Sequence, residues 1–113
     1  MPKYLISFPS GEMVVPDGEW DRVVEESHQV MRDARAAGVY VFGGGIDESV
    51  PPVRVHADGP VQPGTYPQTA RLEGGYSVLD LPDRAAAEAW AARIAAACRC
   101  PQELREFGFD PES

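Results

Sequence analysis

Leu72-Glu73-Gly74-Gly75-Tyr76-Ser77-Val78-Leu79-Asp80-Leu81-Pro82-Asp83, with the alanine-rich run that continues to Trp90, spells a strand, a stop and a helix in immediate succession. The double glycine leads into an apolar stretch from Gly75 to Leu81. Pro82 has no N–H to give a sheet ladder, so the strand ends there. Asp83 can accept from the first free amides of a helix and favours its positive end. The predicted helix runs from about Arg84 to Arg99, with Ala86, Ala89, Trp90, Ile94 and Ala97 as its apolar stripe. Pro101 closes it, because the residue before a proline is pushed out of helical geometry.

A similar unit stands upstream. Lys3 to Phe8 alternates as a strand, with Tyr4, Ile6 and Phe8 against Leu5 and Ser7. Asp17 is the expected N-cap of a helix from about Gly18 to Ala37, where Trp20, Val23, Val24, Val30, Met31 and Ala34 form one stripe. Gly38 suits a left-handed terminator. Val39 to Phe42 reads as a β-branched and aromatic strand that Gly43-Gly44-Gly45 stops. Val53 to His56 is a further short strand turning at Asp58-Gly59, and Pro60 to Gln68 an irregular loop. A last strand spans Glu103 to Phe107. The order is β-α-β-(β)-β-α-β, an α+β split βαβ arrangement in a single domain, residues 1–113, with both helices on one face of an antiparallel sheet.

The net charge is −8, from 10 basic and 18 acidic residues, which speaks against a nucleic-acid partner because phosphate binding needs a basic footprint. No apolar run reaches the length of a membrane span, and Met1-Pro2-Lys3-Tyr4 begins no signal-peptide core, so a cytoplasmic protein without a membrane partner is expected. Cys98 and Cys100, the only cysteines, read as plain buried thiols. With His28 and His56 the only histidines, no metal site is expected, and no cofactor motif is present.

Strand parity divides the side chains into two sets. Leu5, Ser7, Val39, Val41, Ser77, Leu79, Leu81 and Leu104 are small or aliphatic and are expected beneath the alanine-rich helices. Tyr4, Ile6, Phe8, Tyr40, Phe42, Tyr76, Val78, Asp80, Glu103, Arg105 and Phe107 would form an aromatic second face with charges at one end. No third helix is left to cover that face, so a homodimer through it is expected.

Two groups stand out as candidates for chemistry. His28 sits beside the apolar stripe of the first helix among Asp21, Glu25, Arg32 and Arg35, as either a general base or part of a solvated helix edge. Glu103 and Arg105 share a face with Tyr76 and Asp80, as either an ion pair or the floor of a polar pocket. His28, Asp80 and Glu103 are thus the catalytic candidates; Arg54, Tyr66, Tyr76 and Arg105 are candidates for holding a small anionic ligand.

Arg35-Ala36-Ala37-Gly38-Val39-Tyr40-Val41-Phe42-Gly43-Gly44-Gly45, Val53-Arg54-Val55 with Asp58-Gly59, the Leu72 to Pro82 stretch, Trp90 in its helix, and Cys100-Pro101 ahead of Glu103 to Phe107 together resemble the YCII-related (YciI-like, DGPF-domain) proteins over nearly the whole chain. The resemblance implies a ferredoxin-like fold in a dimeric α/β barrel, with the strand near His56 as an addition. The family's signature loop falls on Pro63 to Gly75, where its acidic and lysine positions are replaced by Pro63, Gln68 and Ala70. The function expected is therefore a homodimer that binds a small molecule between sheet and helices. One alternative is a small lyase or isomerase acting on a compact carboxylated substrate. There Arg105 or Arg54 would orient the anion while His28, Asp80 or Glu103 moved a proton. The other is a protein-interaction module.

Overall fold

Asp83 caps the second helix as its chemistry dictates: its carboxylate accepts from the Ala86 N–H at 2.9 Å in the computed structural model, which describes residues 1–113. Six strands and two helices follow in the order β1 (Lys3–Pro9), α1 (Trp20–Ala36), β2 (Tyr40–Gly45), β3 (Val53–Val55), β4 (Val61–Pro63), β5 (Gly74–Asp80), α2 (Arg84–Cys98) and β6 (Glu103–Glu106). Four strands make one antiparallel sheet in the order β2-β5-β1-β6, and β3 with β4 makes a separate hairpin. The fold is α+β, a sheet under a layer of two helices.

The core lies between those layers. Tyr4 and Ile6 of β1, Leu79 of β5, Val30 and Ala34 of α1, and Ala87, Ala91 and Ile94 of α2 are all buried in it. The register corrects the parity expectation for β1. Tyr4 stands opposite Leu79, Ile6 opposite Ser77 and Phe8 opposite Gly75, so all three face the helices rather than the open side. Tyr40, opposite Leu79, joins them, and Leu5 and Ser7 lie on the outer face with Val78 and Tyr76. Phe42, Tyr76, Val78, Asp80, Glu103 and Arg105 keep the outer positions expected of them. The physical reason is size matching: aromatic rings from β1 fill the space left by alanines of α2 and by glycine and serine of β5.

Three local expectations also change. Gly18 takes a left-handed conformation (φ 82°), which turns the chain after Asp17, so Glu19 rather than Asp17 occupies the N-cap of α1, with no side-chain cap bond. The Pro60 to Gln68 segment contains β4, and Val55 pairs with Val61 across the hairpin. Gly43, Gly44 and Gly45 do not stop β2: they pair with Ser77, Tyr76 and Gly75 after an irregularity at Val41.

Two ion pairs join the helices. Arg93 bonds Asp33, and Arg99 bonds Glu26 at 2.7 Å. Arg99 also ends α2 in the left-handed region (φ 63°), and its guanidinium donates to the carbonyls of Ala96 at 2.8 Å and Ala97 at 3.1 Å. A cation at a helix C-terminus is favourable, which offsets the strain of a left-handed arginine.

Candidate functional site

The glycines that β2 carries decide where the molecule is hollow. Helix-facing positions at this end of the sheet are Gly43 and Gly45 on β2 and Gly75 and Ser77 on β5, none larger than serine. α1 crosses above them: a Cβ on Gly43 would lie 3.0 Å from Met31 Sδ. On the other flank, Phe8 lies over Gly75, where a Cβ would come within 2.5 Å of the ring. Between helix and sheet this leaves a cleft of about 680 Å³. That is within the usual range for small-molecule sites.

The cleft has an apolar body and a basic rim. Phe8, Met13, Met31 and Ile94 supply apolar surface, and His28, Arg32 and Arg35 line it from α1. No aspartate or glutamate lines it, although the chain as a whole is strongly acidic. Arg32 is paired with Glu25 and also donates to Gln29. Arg35 has no carboxylate within salt-bridge distance, and its guanidinium stacks over the Tyr40 ring at 4.3 Å. Gln102 lines the cleft with its Oε1 buried and without a hydrogen-bond partner, while its Nε2 donates to the Cys100 carbonyl at 3.3 Å. Cys98 also lines the cleft, and burial pushes its thiol up to about 11, so it stays protonated and offers no nucleophile near neutral pH.

Of the candidate catalytic and ligand-holding residues, His28 lines this cleft, and Tyr76 borders it while its side chain lies on the outer face of the sheet. The Tyr76 hydroxyl donates to the Leu72 carbonyl, and burial, reinforced by the Glu73 and Glu103 carboxylates, raises its pKa. Asp80 lies on the outer face of the sheet, ion-paired with Lys3 at 3.1 Å. Glu103 and Arg105 share that face and contact each other at 3.4 Å, both largely exposed. His28 is therefore separated from Asp80 and Glu103 by the sheet, and the three do not form one catalytic group. Arg54 stacks over Tyr66 at 5.6 Å by the hairpin, with its Nε buried and unpartnered, away from the cleft. No three His, Cys, Asp or Glu side chains come together in a way that could hold a metal ion.

Sequence reasoning placed Arg35 on the charged flank of α1 without a ligand role, and missed Gln102 and the glycines of β2. A signal was present: two glycine clusters, Gly43 to Gly45 and Gly74-Gly75, in strands that could pair would remove side chains from one patch of sheet. Fold and cleft define an α+β protein with an open, basic-rimmed hollow on the helix side of its sheet. Among known proteins, the chain matches no family model and no curated protein. No helix is long and apolar enough to cross a membrane.

Proposed function

We propose that the protein is a homodimeric small-molecule binder of the ferredoxin-like, dimeric α/β-barrel kind, related to the YCII family. The observation that carries the reading is the cleft of about 680 Å³ between α1 and a glycine floor. Small residues at facing positions of two adjacent strands keep that space open beneath α1, with an apolar body and a basic rim, as in small-molecule sites. The strand order β2-β5-β1-β6, with β1 and β5 central, supports the ferredoxin-like description.

The second copy is supported by what the sheet leaves bare. Leu5, Phe42, Val78 and Phe107 lie on the side opposite the helices, with Phe42 57% and Phe107 46% exposed. The accessible surface is 7732 Å², against roughly 6,100 Å² for an ordinary monomer of this mass. The radius of gyration is 15.8 Å, against about 13 Å for a compact chain of this length. The surplus area exceeds the ~800 Å² that one partner gives to a standard interface.

The test is a thermal-shift screen of small acids, alcohols and amides against the wild type and Gly45→Leu. A Cβ on Gly45 meets only the Gly74 carbonyl, at an ordinary 3.5 Å, so leucine there enters the cleft without displacing backbone. Compounds that stabilise the wild type should lose their effect on Gly45→Leu. Equal stabilisation of both proteins would remove the cleft as the binding site.

A further inference from the structure

The cleft that the proposed function rests on has its charge on one side, and this narrows what it can take. We infer that its ligand is an organic carboxylate with an apolar body, whose anionic head is held by Arg35 beside Tyr40. Four observations converge. Arg35 is the cleft's one arginine without a carboxylate partner, since Arg32 is taken by Glu25. Stacking on Tyr40 at 4.3 Å fixes the plane of its guanidinium and leaves the N–H edge to form a forked pair with a carboxylate. His28 adds a third nitrogen-bearing side chain from the same helix, and no acidic side chain lines the cleft to compete. Phe8, Met13, Met31 and Ile94 offer apolar surface that a bare inorganic anion would leave unused.

The chain's net charge of −8 does not oppose this. Exposed charges beyond about 8 Å are largely screened at physiological salt, so nearby arginines decide the local potential. The unpartnered Oε1 of Gln102 is closed off from the open space of the cleft, so it takes no part in this recognition. An aromatic acid and an alkyl acid both meet the arginine and the apolar surface.

Calorimetric titration with 4-hydroxyphenylacetate, octanoate, 4-hydroxyphenylacetamide and inorganic phosphate tests the inference, on wild type, Arg35→Gln, Arg32→Gln and Gly45→Leu. At least one carboxylate is expected to bind the wild type at least tenfold more tightly than either the amide or phosphate. The tighter of the two carboxylates identifies the body, aromatic or alkyl. Arg35→Gln should weaken that acid about 10- to 100-fold, the scale of a charged hydrogen bond, while Arg32→Gln changes it less than about threefold. Thermal melts of Arg35→Gln report folding, and Arg35→Lys, which keeps the charge but not the fork, should fall between wild type and glutamine. Acid and amide binding alike, weakened by Gly45→Leu but not by Arg35→Gln, would overturn the anion assignment and leave the cleft as the site. Phosphate binding as tightly as the acids would also overturn it. Absence of binding by every probe would overturn both this inference and the reading it rests on.

Discussion

Replacing Val78 by aspartate puts a charge at the centre of the bare sheet face without touching the core. Val78 stands opposite Leu5 on one side and Phe42 on the other, all three pointing away from the helices. In an isolated chain the aspartate would remain in water, so the fold should lose less than about 1 kcal/mol. In a dimer joined through this face the change occurs twice, once per protomer. Val78 is already half-buried in the isolated chain, so the interface buries at most about the last third of each valine, about 1–2 kcal/mol for the two together. Lost burial alone is roughly a 5- to 30-fold rise in the dimer dissociation constant, and desolvating two unpaired carboxylates, at about 1–3 kcal/mol or more each, raises it to roughly 10²-fold or beyond. Sedimentation velocity across a dilution series measures it directly: wild type should sediment as a dimer where Val78→Asp is a monomer with an unchanged far-UV spectrum. A wild-type monomer at micromolar concentration, or a variant that dimerises as tightly as wild type, would refute the reasoning about this face.

Other outcomes follow from the same contacts. Leu79→Ala removes a fully buried side chain from the middle of the core and should cost about 2–5 kcal/mol in denaturant unfolding. Asp83→Ala deletes the cap of α2 and should cost about 0.5–2 kcal/mol. The Glu26 carboxyl is held below its ordinary range chiefly by its hydrogen bond from Arg99, and Asp33 by Gln29 and then Arg93. A lowered carboxylate contributes stability above the ordinary range near pH 4, lost as pH falls through the folded values. Melting temperature should therefore drop on acidification below about pH 4, and Arg99→Ala should flatten that drop; an unchanged slope would count against the helix clamp. Cys98, pushed up to about 11 by burial, should stay unreactive toward a thiol reagent at pH 8 until the protein unfolds.

How much was legible in the sequence depended on whether the signal was local. Pro82 and Asp83 marked the end of β5 and the start of α2 because a missing N–H and a capping carboxylate act within a few residues. Gly38, left-handed at φ 75°, ended α1 for the same kind of reason. The β-α-β-(β)-β-α-β order followed from these stops and from helical and strand periodicity, with only β4 read as loop. The phase of one strand relative to another did not. Alternation groups Tyr4 with Ile6 and Phe8, but only the pairing of Tyr4 with Leu79 says that this group faces the helices. Register is set by contacts between residues some 70 positions apart, which no local pattern carries. The cleft was hidden for the same reason. Gly43 to Gly45 look like a strand end in isolation and become a floor only when β5 sets Gly75 beside them and α1 passes overhead. His28, Asp80 and Glu103 were alternative proton carriers on chemistry alone; the sheet puts His28 on one side and the two carboxylates on the other. Local hydrogen-bonding chemistry thus determined the elements and their ends, and the tertiary structure decided which faces meet, where space remains, and which arginine is left unpaired.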